Sequence, residues 1–286
     1  MSTKKIGWIG LGKMGIPMSQ QLIKAGYPVT VYNRSKDKEA GLKAQGAAIA
    51  STPGQLLQQT DVLIIMVTDD KAINDIFNGG EGLLAANATN KVIINMSTVS
   101  PAISRQMDEL CKAQGNHYID APVSGSIKPA ETGQLVIMAG GDAAIIEQVK
   151  PILEKMGKMV VHIGEVGAGN TAKLAINTLL SFYVQGLAEA VLLAKQNGID
   201  TALLLSMLNN GALANPFTKL KGEAILANNY EPTFTLKNIL KDLHLAADIG
   251  LNTPMGKAVT KTFEDAEEEF GDEDLMAIIK QLDIAK

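Results

Sequence analysis

The sequence has few of the residues that build disulfide frameworks and metal centres. It contains one cysteine in 286 residues, Cys111, which excludes an internal disulfide framework and a cysteine-based zinc site. Its three histidines, His117, His162 and His244, lie far apart and show no metal-ligand spacing. We therefore expect no bound metal.

Excess charge and long apolar runs are also scarce. With 26 basic and 30 acidic residues the formal net charge is −4, so no basic field is present to hold a nucleic acid backbone. The apolar stretch Leu174–Ala194 is interrupted by Asn177, Gln185 and Glu189, whereas a membrane span needs about 20 mostly apolar residues. The N-terminal segment lacks the apolar core and cleavage site of a secretory signal. We expect a soluble, cytoplasmic protein with no nucleic-acid or membrane partner.

Apolar residues make up 46% of the sequence, and in its first half they form short runs that alternate with helical patterns. Strands are predicted at Lys5–Ile9 and Val29–Tyr32, on either side of a helix at Met14–Ala25. The continuous runs Val62–Val67 and Val92–Asn95 are typical of strands buried on both faces. Strands that alternate with helices predict an α/β fold with a doubly wound parallel sheet.

The alternation stops near residue 163, and the patterns that follow are helical. A long helix is predicted at 170–196, and later helices are predicted at Thr201–Asn209, Leu236–Gly250, Met255–Glu269 and Leu275–Ile284. We therefore expect an α/β domain at 1–163 and an all-helical C-terminal domain at 164–286.

The turn between the first predicted strand and helix carries a glycine-rich motif, Gly10-Leu11-Gly12-Lys13-Met14-Gly15. Gly10 permits the tight turn, Gly12 the close approach of a pyrophosphate, and Gly15 the packing of helix against strand. The N-terminus of the helix presents unpaired N–H groups to that pyrophosphate. In a strand–turn–helix context the motif predicts a Rossmann dinucleotide-binding site rather than an ordinary tight turn.

The end of the second predicted strand bears on which dinucleotide binds. An enzyme that prefers NAD usually has an acidic residue there to bind the ribose hydroxyls. This sequence has Asn33, Arg34 and Ser35. Asn33 does not repel a phosphate, Ser35 can donate to one, and Arg34 can bind it with a charged planar fork. Lys36 and Lys38 add positive charge nearby. The alternative is a solvated surface loop, and we favour NADP(H).

Two further segments carry candidate chemistry. Asp120–Ser126 is a small-residue loop whose hydroxyl and backbone N–H groups form either an anion nest or only a turn. The segment Gly167–Asn177 places Lys173 and Asn177 four residues apart, on one face of the long helix. Desolvation would lower the pKa of a lysine among apolar neighbours toward that of a general acid. A surface lysine with a buried stem explains the same pattern, and the spacing does not decide between the two.

These segments together resemble the β-hydroxyacid dehydrogenase family, also called the 3-hydroxyisobutyrate dehydrogenase family. The resemblance covers nearly the whole chain and rests on four motifs in the family's order and spacing. They are GWIGLGKMGIPMSQQLIKAG, DAPVSGSIKPAETGQL, GAGNTAKLAIN and KDLHLAADIG. Within the family, APVSGSIKPAETGQL, NPFTKLKG and Asn33-Arg34-Ser35 are most similar to glyoxylate/succinic semialdehyde reductases.

The resemblance implies roles for individual residues. Lys173 matches the catalytic lysine that gives a proton to the carbonyl oxygen as hydride arrives from the nicotinamide. Asn177 matches the asparagine that orients substrate and lysine, and Thr98 matches the threonine beside nicotinamide and substrate. The loop that hydrogen-bonds the substrate carboxylate corresponds to Ser124, Gly125 and Ser126.

In the helical half, Lys241 matches a lysine that contacts the cofactor, and its neighbour Asp242 is assigned to substrate binding. Phe234 lies where related reductases place an apolar wall over a small substrate. The residues after the fourth strand line the ribose and nicotinamide in the family. The full set of expected cofactor contacts is therefore Gly10–Gly15, Asn33, Arg34, Ser35, Met66, Val67, Thr68, Thr98 and Lys241.

The activity implied is the NADPH-dependent reduction of small aldehydes that bear a carboxylate, with glyoxylate and succinic semialdehyde as substrates. Tartronate semialdehyde reduction and 3-hydroxyisobutyrate oxidation are alternatives, although Asn33 disfavours an NAD-linked oxidation. Imine reductases usually replace the lysine with Asp or Tyr, and Lys173 is present. A different class is a non-catalytic NADP-binding scaffold. Because family members bury much of the helical domain between subunits, a homo-oligomer, dimer or tetramer, is expected.

Overall fold

A computed structural model describes residues 4–284 of the chain. The chain divides into two compact units, one formed by the residues up to Lys173 and the other by the residues from Leu174 on. This division falls inside a long helix, whereas the sequence analysis places a domain boundary before that helix, between residues 163 and 164.

The first unit alternates strands with helices, as predicted. Its strands are β1 (Ile6–Ile9), β2 (Val29–Tyr32), β3 (Ala48–Ile49), β4 (Val62–Ile65), β5 (Val92–Asn95), β6 (His117–Asp120), β7 (Val123–Ser124), β8 (Leu135–Gly140) and β9 (Gly157–Gly164). Its helices are α1 (Gly15–Lys24), α2 (Ala40–Lys43), α3 (Pro53–Gln59), α4 (Asp70–Asn78), α5 (Pro101–Ala113), α6 (Ile127–Glu131) and α7 (Ala143–Leu153). Thr52 and Ser100 cap α3 and α5 by accepting N–H groups of the first turn, and a proline follows each cap.

The described strands form one sheet in the order β3-β2-β1-β4-β5-β6-β8-β7, with β9 paired to β8. Strands β1 to β6 are parallel, and the chain order reverses between β1 and β4. The predicted doubly wound parallel sheet is therefore confirmed. Strand β8 runs antiparallel to β6 and β7, and β9 is parallel to β8. This antiparallel extension was not predicted, because a strand as short as β7 leaves no periodic pattern in a sequence.

The sheet is buried on both faces. In β4, Val62 and Ile64 enter one hydrophobic cluster, and Leu63 and Ile65 enter another. Successive side chains of a strand point to opposite faces, so the two clusters are the cores above and below the sheet. Burial on both faces explains why these strands are unbroken apolar runs in the sequence.

The carboxyl ends of β1, β2, β4, β5 and β6 lie side by side in the sheet. The register pairs Ile9 with Tyr32 and with Ile65, Ile65 with Asn95, and Asn95 with Asp120. The segments that follow these strands therefore meet at one edge of the sheet. In sheets of this kind, ligands bind outside the carboxyl ends of the strands, where the strand order reverses.

The second unit consists of helices. After α8 (Ala168–Gln196), which enters it, come α9 (Thr201–Asn210), α10 (Pro216–Ala227), α11 (Leu236–Asp248), α12 (Pro254–Phe270) and α13 (Ile278–Ile284). The predicted helices are present, except that Leu275–Ile284 is a short 3-10 helix at Leu275–Ala277 followed by α13. No strand lies between residues 165 and 284 apart from an isolated bridge between Thr235 and Asp274. Helix α10 was not predicted. The sequence nevertheless contains the pattern of a helix N-terminus there, because Asn215 is the cap residue and Pro216 is the first residue of the helix.

Helix α8 is long and apolar enough to pass a length-and-composition criterion for a membrane span. A single helix of this kind is weak evidence, because core helices meet the same criterion. Val184, Ala188 and Val191 of α8 pack in the hydrophobic cluster of the second unit, while Leu179 and Leu193 are exposed.

Candidate active site

The glycine-rich loop joins β1 to α1 at the edge where the parallel strands end. Gly10 has a φ of 99°, and a Cβ there would lie 2.1 Å from the carbonyl oxygen of Met66. A Cβ on Gly15 would lie 2.0 Å from the carbonyl oxygen of Gly10. Both positions therefore require glycine. A Cβ on Gly12 would meet no protein atom within 4 Å, which leaves room on the side from which a pyrophosphate would approach.

Two side chains hold this loop in place. The indole Nε1 of buried Trp8 donates to the carbonyl oxygen of Gly10 at 2.9 Å. The N–H of Leu11 donates to Oδ1 of Asn33 at 2.9 Å, and Nδ2 of Asn33 donates to the carbonyl oxygen of Ser35 at 2.8 Å. Asn33 therefore ties the glycine-rich loop to the end of β2. Sequence reasoning missed this role because it considered only the effect of Asn33 on a phosphate.

The charged side chains after β2 are not equivalent. Arg34 is exposed directly after the strand. Lys36 forms an ion pair with Glu39 at 3.0 Å and lies 4.2 Å from the centre of the Tyr32 ring. Glu39 is buried and also accepts the N–H of Asn33 at 2.9 Å. Because Lys36 is already paired with Glu39, Arg34 is the stronger candidate for a phosphate contact in this segment.

Polar side chains connect the loops after β4 and β5. The N–H of Val67 donates to Oγ of Ser97 at 2.8 Å, and the N–H of Ser97 donates to Oδ1 of Asn95 at 3.0 Å. At the starts of the helices that follow these loops, the N–H of Ser100, the cap of α5, donates to Oδ1 of Asp70, the first residue of α4, at 2.9 Å. These bonds bring the half-buried Thr98 and the segment Met66–Thr68 to the same edge of the sheet as the glycine-rich loop.

Strand β6 ends in a fully buried carboxylate, Asp120. It accepts the N–H groups of Gly167 and Asn170, both at 2.7 Å. Burial raises the pKa of Asp120 to about 6, although these hydrogen bonds act in the opposite direction. Asp120 was not among the predicted site residues, because a sequence does not show which distant N–H groups a carboxylate accepts.

The predicted carboxylate-binding residues lie at the end of β7 and directly after it. Ser124 ends β7 and pairs with Val136, which fixes its backbone in the sheet. Gly125 has a φ of 131°, and a Cβ there would lie 2.8 Å from Cδ2 of Leu135. Glycine is therefore required between the half-buried Ser124 and Ser126. The register places Ser124 beyond the carboxyl end of β6, on the same side of the sheet as the loop that carries Thr98.

Helix α8 carries Lys173 and Asn177 one turn apart, with Lys173 half-buried and Asn177 buried. Within the second unit, Nδ2 of Asn177 donates to Oδ2 of Asp242 at 2.6 Å. The Nζ of Lys241 lies 2.8 Å from Oδ1 of the same carboxylate. The structure therefore joins three predicted residues, the buried Asn177 and Asp242 and the half-buried Lys241, in one chain of polar contacts. Phe234 precedes α11 and packs, half-buried, against the core of the unit.

Neither metal nor thiol chemistry is evident in this site. Within residues 4–284 no group of three His, Cys, Asp or Glu side chains is placed to hold a metal ion. Cys111 is buried inside α5, and burial raises the pKa of its thiol to about 12. A thiol in that state is a packing residue.

A parallel sheet with a glycine-rich turn at the reversal of its strand order, followed by a helical unit, defines a dinucleotide-binding protein of the Rossmann class. Residues 5–164 match the family model described as the NAD binding domain of 6-phosphogluconate dehydrogenase. Residues 167–282 match the one described as NAD-binding of NADP-dependent 3-hydroxyisobutyrate dehydrogenase. The chain belongs to the β-hydroxyacid (3-hydroxyisobutyrate) dehydrogenase family and is an NAD(P)-dependent enzyme of that class.

The chain is similar to several individual proteins. The chain is 35% identical to glyoxylate/succinic semialdehyde reductase 2, chloroplastic, of Arabidopsis thaliana, over 100% of this chain and 81% of that one. It is 34% identical to the cytokine-like nuclear factor N-PAC of Homo sapiens, over 97% of this chain but 51% of that protein. The structure of Mycobacterium tuberculosis 3-hydroxyisobutyrate dehydrogenase with L-serine superposes with a TM-score of 0.88 and 28% identity, over 98% and 99% of the two chains.

Proposed function

We propose that this protein reduces small aldehydes that carry a carboxylate to the corresponding hydroxy acids, with NADPH as cofactor and glyoxylate and succinic semialdehyde as substrates. The observation that carries the proposal is Lys173, half-buried in the first turns of α8, whose start is anchored to the sheet edge with the glycine-rich loop. The similarity to the plant reductase supports the substrate class.

The proton comes from the protein. NADPH, when bound, supplies the hydride. Negative charge builds on the carbonyl oxygen of the substrate, and the Lys173 ammonium stabilises that charge and then donates its proton to it. Ser124, Gly125 and Ser126 hold the substrate carboxylate through hydroxyl and N–H groups, and Thr98 orients the carbonyl.

The preference for NADPH is assigned to the segment after β2. Arg34 and Ser35 are exposed there, and an arginine binds a phosphate with two parallel charged hydrogen bonds. An acidic residue at the strand end would repel the 2′-phosphate, but the position holds Asn33, and the nearby Glu39 is turned toward Lys36. The charge of this loop therefore favours the phosphorylated cofactor.

In the second unit we assign three supporting roles. Asp242 orients Asn177 through the 2.6 Å hydrogen bond and holds Lys241 in an ion pair. Asn177 in turn orients Lys173 and the substrate, and Lys241 contacts the cofactor. Phe234 provides an apolar wall against a small substrate.

Two other functions are distinguishable from this one. Tartronate semialdehyde reduction or 3-hydroxyisobutyrate oxidation would use the same residues, and the similarity to a 3-hydroxyisobutyrate dehydrogenase supports that class of substrate. A non-catalytic NADP-binding scaffold would bind cofactor without turnover. The 34% identity to N-PAC, of which this chain spans about half, motivates testing for that outcome.

We also propose that the protein is a homo-oligomer, a dimer or a tetramer. Ile176, Leu179, Tyr183 and Leu193 are exposed on α8, as are Leu203 and Met207 on α9. Exposed apolar groups of this number on neighbouring helix turns are typical of surfaces that bind another protein.

The test is the oxidation of NADPH, followed by the absorbance of the reduced nicotinamide, with glyoxylate and with succinic semialdehyde as substrates. Turnover of either aldehyde, with NADPH preferred over NADH, is the expected result. Turnover of tartronate semialdehyde alone with NADPH, or of 3-hydroxyisobutyrate alone in a parallel assay with NADP+ as hydride acceptor, would reassign the substrate. Tight NADPH binding with no turnover of any of these compounds would favour the scaffold.

A further inference from the structure

Two fully buried polar side chains, Asp120 and Asn170, connect the start of α8 to two loops of the candidate site. Oδ1 of Asp120 accepts the N–H of Gly167 and Oδ2 accepts the N–H of Asn170, both at 2.7 Å. Nδ2 of Asn170 reaches the same carboxylate at 3.4 Å. The carboxylate therefore satisfies N–H groups at the helix start that have no partner within the helix.

Asn170 extends these connections to the loop after β5. Its Oδ1 accepts the N–H of Val99 at 3.0 Å, and its Nδ2 also approaches Oγ of Ser104 in α5 at 3.3 Å. The side chain of this one residue of α8 thus bonds to the end of β6, to the loop after β5 and to α5. We call Asp120 and Asn170 the buried junction.

The approach of α8 to the sheet is close as well as polar. A Cβ on Gly169 would lie 2.4 Å from the carbonyl oxygen of Met138 and 2.7 Å from that of Asp120. Only glycine permits this contact, so the helix start rests directly on the backbone of β6 and β8.

The proposed reacting groups lie within a few residues of the buried junction. Thr98 immediately precedes Val99, and Ser124 follows Asp120 by four residues. Lys173 follows Asn170 by three residues, which is less than one helical turn. A shift of the first turn of α8 would leave buried donors and acceptors unpaired, so the arrangement resists displacement.

We propose that Asp120 and Asn170 are positioning residues that hold Lys173 in register with the loops bearing Thr98 and Ser124. This inference rests on the proposed function, since it assigns the purpose of the register to proton transfer. It adds two residues that touch neither substrate nor cofactor and act through the helix that carries Lys173.

The test compares Asn170→Ala with a matched control, Asn116→Ala. Asn116 is 3% exposed; its Oδ1 accepts the N–H of Lys91 at 2.9 Å, and its Nδ2 donates to the carbonyl oxygen of Ala88 at 2.8 Å. It is also a buried asparagine that joins two segments, but these are the segments that lead into β5 and β6, at the other edge of the sheet. Both substitutions should lower the Tm by similar amounts.

Only Asn170→Ala should impair catalysis. We expect its kcat with glyoxylate to fall about 10- to 100-fold, because small misplacements of a reacting group are costly. The Kd for NADPH should stay within about threefold of the original value, since the glycine-rich loop is untouched. An unchanged kcat in Asn170→Ala, or an equal loss in Asn116→Ala, would overturn the proposal while leaving the reductase assignment intact.

Two further measurements cover the other outcomes. If Asn170→Ala does not fold, Ser104→Ala is the second variant. It removes the 3.3 Å bond to Asn170, together with the 3.4 Å bond to the carbonyl oxygen of Ser100 and the hydrogen bond to Tyr118, and should still lower kcat more than Asn116→Ala does. If the unsubstituted protein turns over no aldehyde, the proposed function fails, and hydrogen exchange still tests the junction. Amides 167–173 should exchange faster in Asn170→Ala, or in Ser104→Ala if that variant is used, than in Asn116→Ala, and equal rates would contradict the junction itself.

Discussion

At the scale of single residues, Arg34 is the side chain on which the proposed preference for NADPH depends. Replacing it with alanine removes a charged bidentate contact to the 2′-phosphate, and such bonds contribute about 1.5–3 kcal/mol. We therefore expect Arg34→Ala to weaken NADPH binding about 10- to 100-fold and NADH binding by less than about threefold. Fluorescence titration of the two reduced cofactors measures both changes.

A suitable control for this substitution is Lys43→Ala, which removes an exposed positive charge from α2 without touching the segment after β2. Its effect on either cofactor should be small, because exposed charges are screened by salt. Equal losses of NADPH and NADH affinity in Arg34→Ala would show that Arg34 does not bind the 2′-phosphate.

Asp242 supports a second prediction at this scale. Its carboxylate lies 2.6 Å from Nδ2 of Asn177 and 2.8 Å from Nζ of Lys241, and it is buried. Asp242→Ala leaves the buried Asn177 amide without that acceptor, at a cost of about 1–3 kcal/mol in the free energy of unfolding. We expect kcat/KM to fall about tenfold or more, measured on protein shown to be folded by circular dichroism.

Asp248→Ala is the control for this substitution, because Asp248 is an exposed carboxylate at the end of the same helix, α11. It should change neither the Tm nor kcat/KM appreciably. Full activity in Asp242→Ala would mean that the Asn177 amide needs no anchoring for turnover.

Sequence reasoning identified residues whose chemistry is visible without partners. Lys173 and Asn177 share a helix face by spacing alone, and Arg34 follows a predicted strand. Asn33 as an anchor for Leu11, and Asp120 as an anchor for α8, were not predictable in this way. Their partners lie 22 and 50 residues away, and strand register decides which of them meet.

At the scale of elements, the glycine-rich loop contains a position, Gly12, where a substitution should affect cofactor binding but not the stability of the fold. A Cβ on Gly12 would meet no protein atom within 4 Å, so Gly12→Ala should leave the Tm of the cofactor-free protein nearly unchanged. The added methyl group would occupy the space needed by the pyrophosphate, and we expect the Kd for NADPH to rise about tenfold or more. Thermal unfolding with and without NADPH measures both effects.

Gly41→Ala is the matched control, because a Cβ on Gly41, in α2, also meets nothing within 4 Å. It should affect neither the Tm nor the Kd. Normal NADPH binding by Gly12→Ala would place the pyrophosphate elsewhere.

Strands and helices differed in how well the sequence predicted them. The strands of the parallel sheet were legible because burial on both faces makes them continuous apolar runs, as in β4 and β5. The two-residue β7 and the antiparallel direction of β8 depend on pairing between strands, which a single sequence does not display. Helix α10, in contrast, has a local start signal in the sequence, the cap residue Asn215 followed by Pro216, and was predictable from it.

At the scale of the whole molecule, the exposed apolar side of α8 bears on assembly. Leu179 is 56% exposed and lies on that side. If this surface is covered by another copy of the chain, Leu179→Lys buries an unpaired charge in the contact and should shift the protein toward monomer. Light scattering after size exclusion measures the mass, and Met159→Lys, at an exposed apolar position on β9, is the control. A monomeric parent protein would contradict the oligomer.

The account depends most directly on one proton donor, Lys173. Its replacement by alanine should abolish the oxidation of NADPH with glyoxylate and with succinic semialdehyde, while the Kd for NADPH stays within about threefold of the original. Lys158→Ala, which removes an exposed lysine from β9, should be fully active. The decisive measurement is therefore kcat for these three proteins in one assay. Loss confined to Lys173→Ala is the predicted result, and turnover retained by that variant would contradict the central claim.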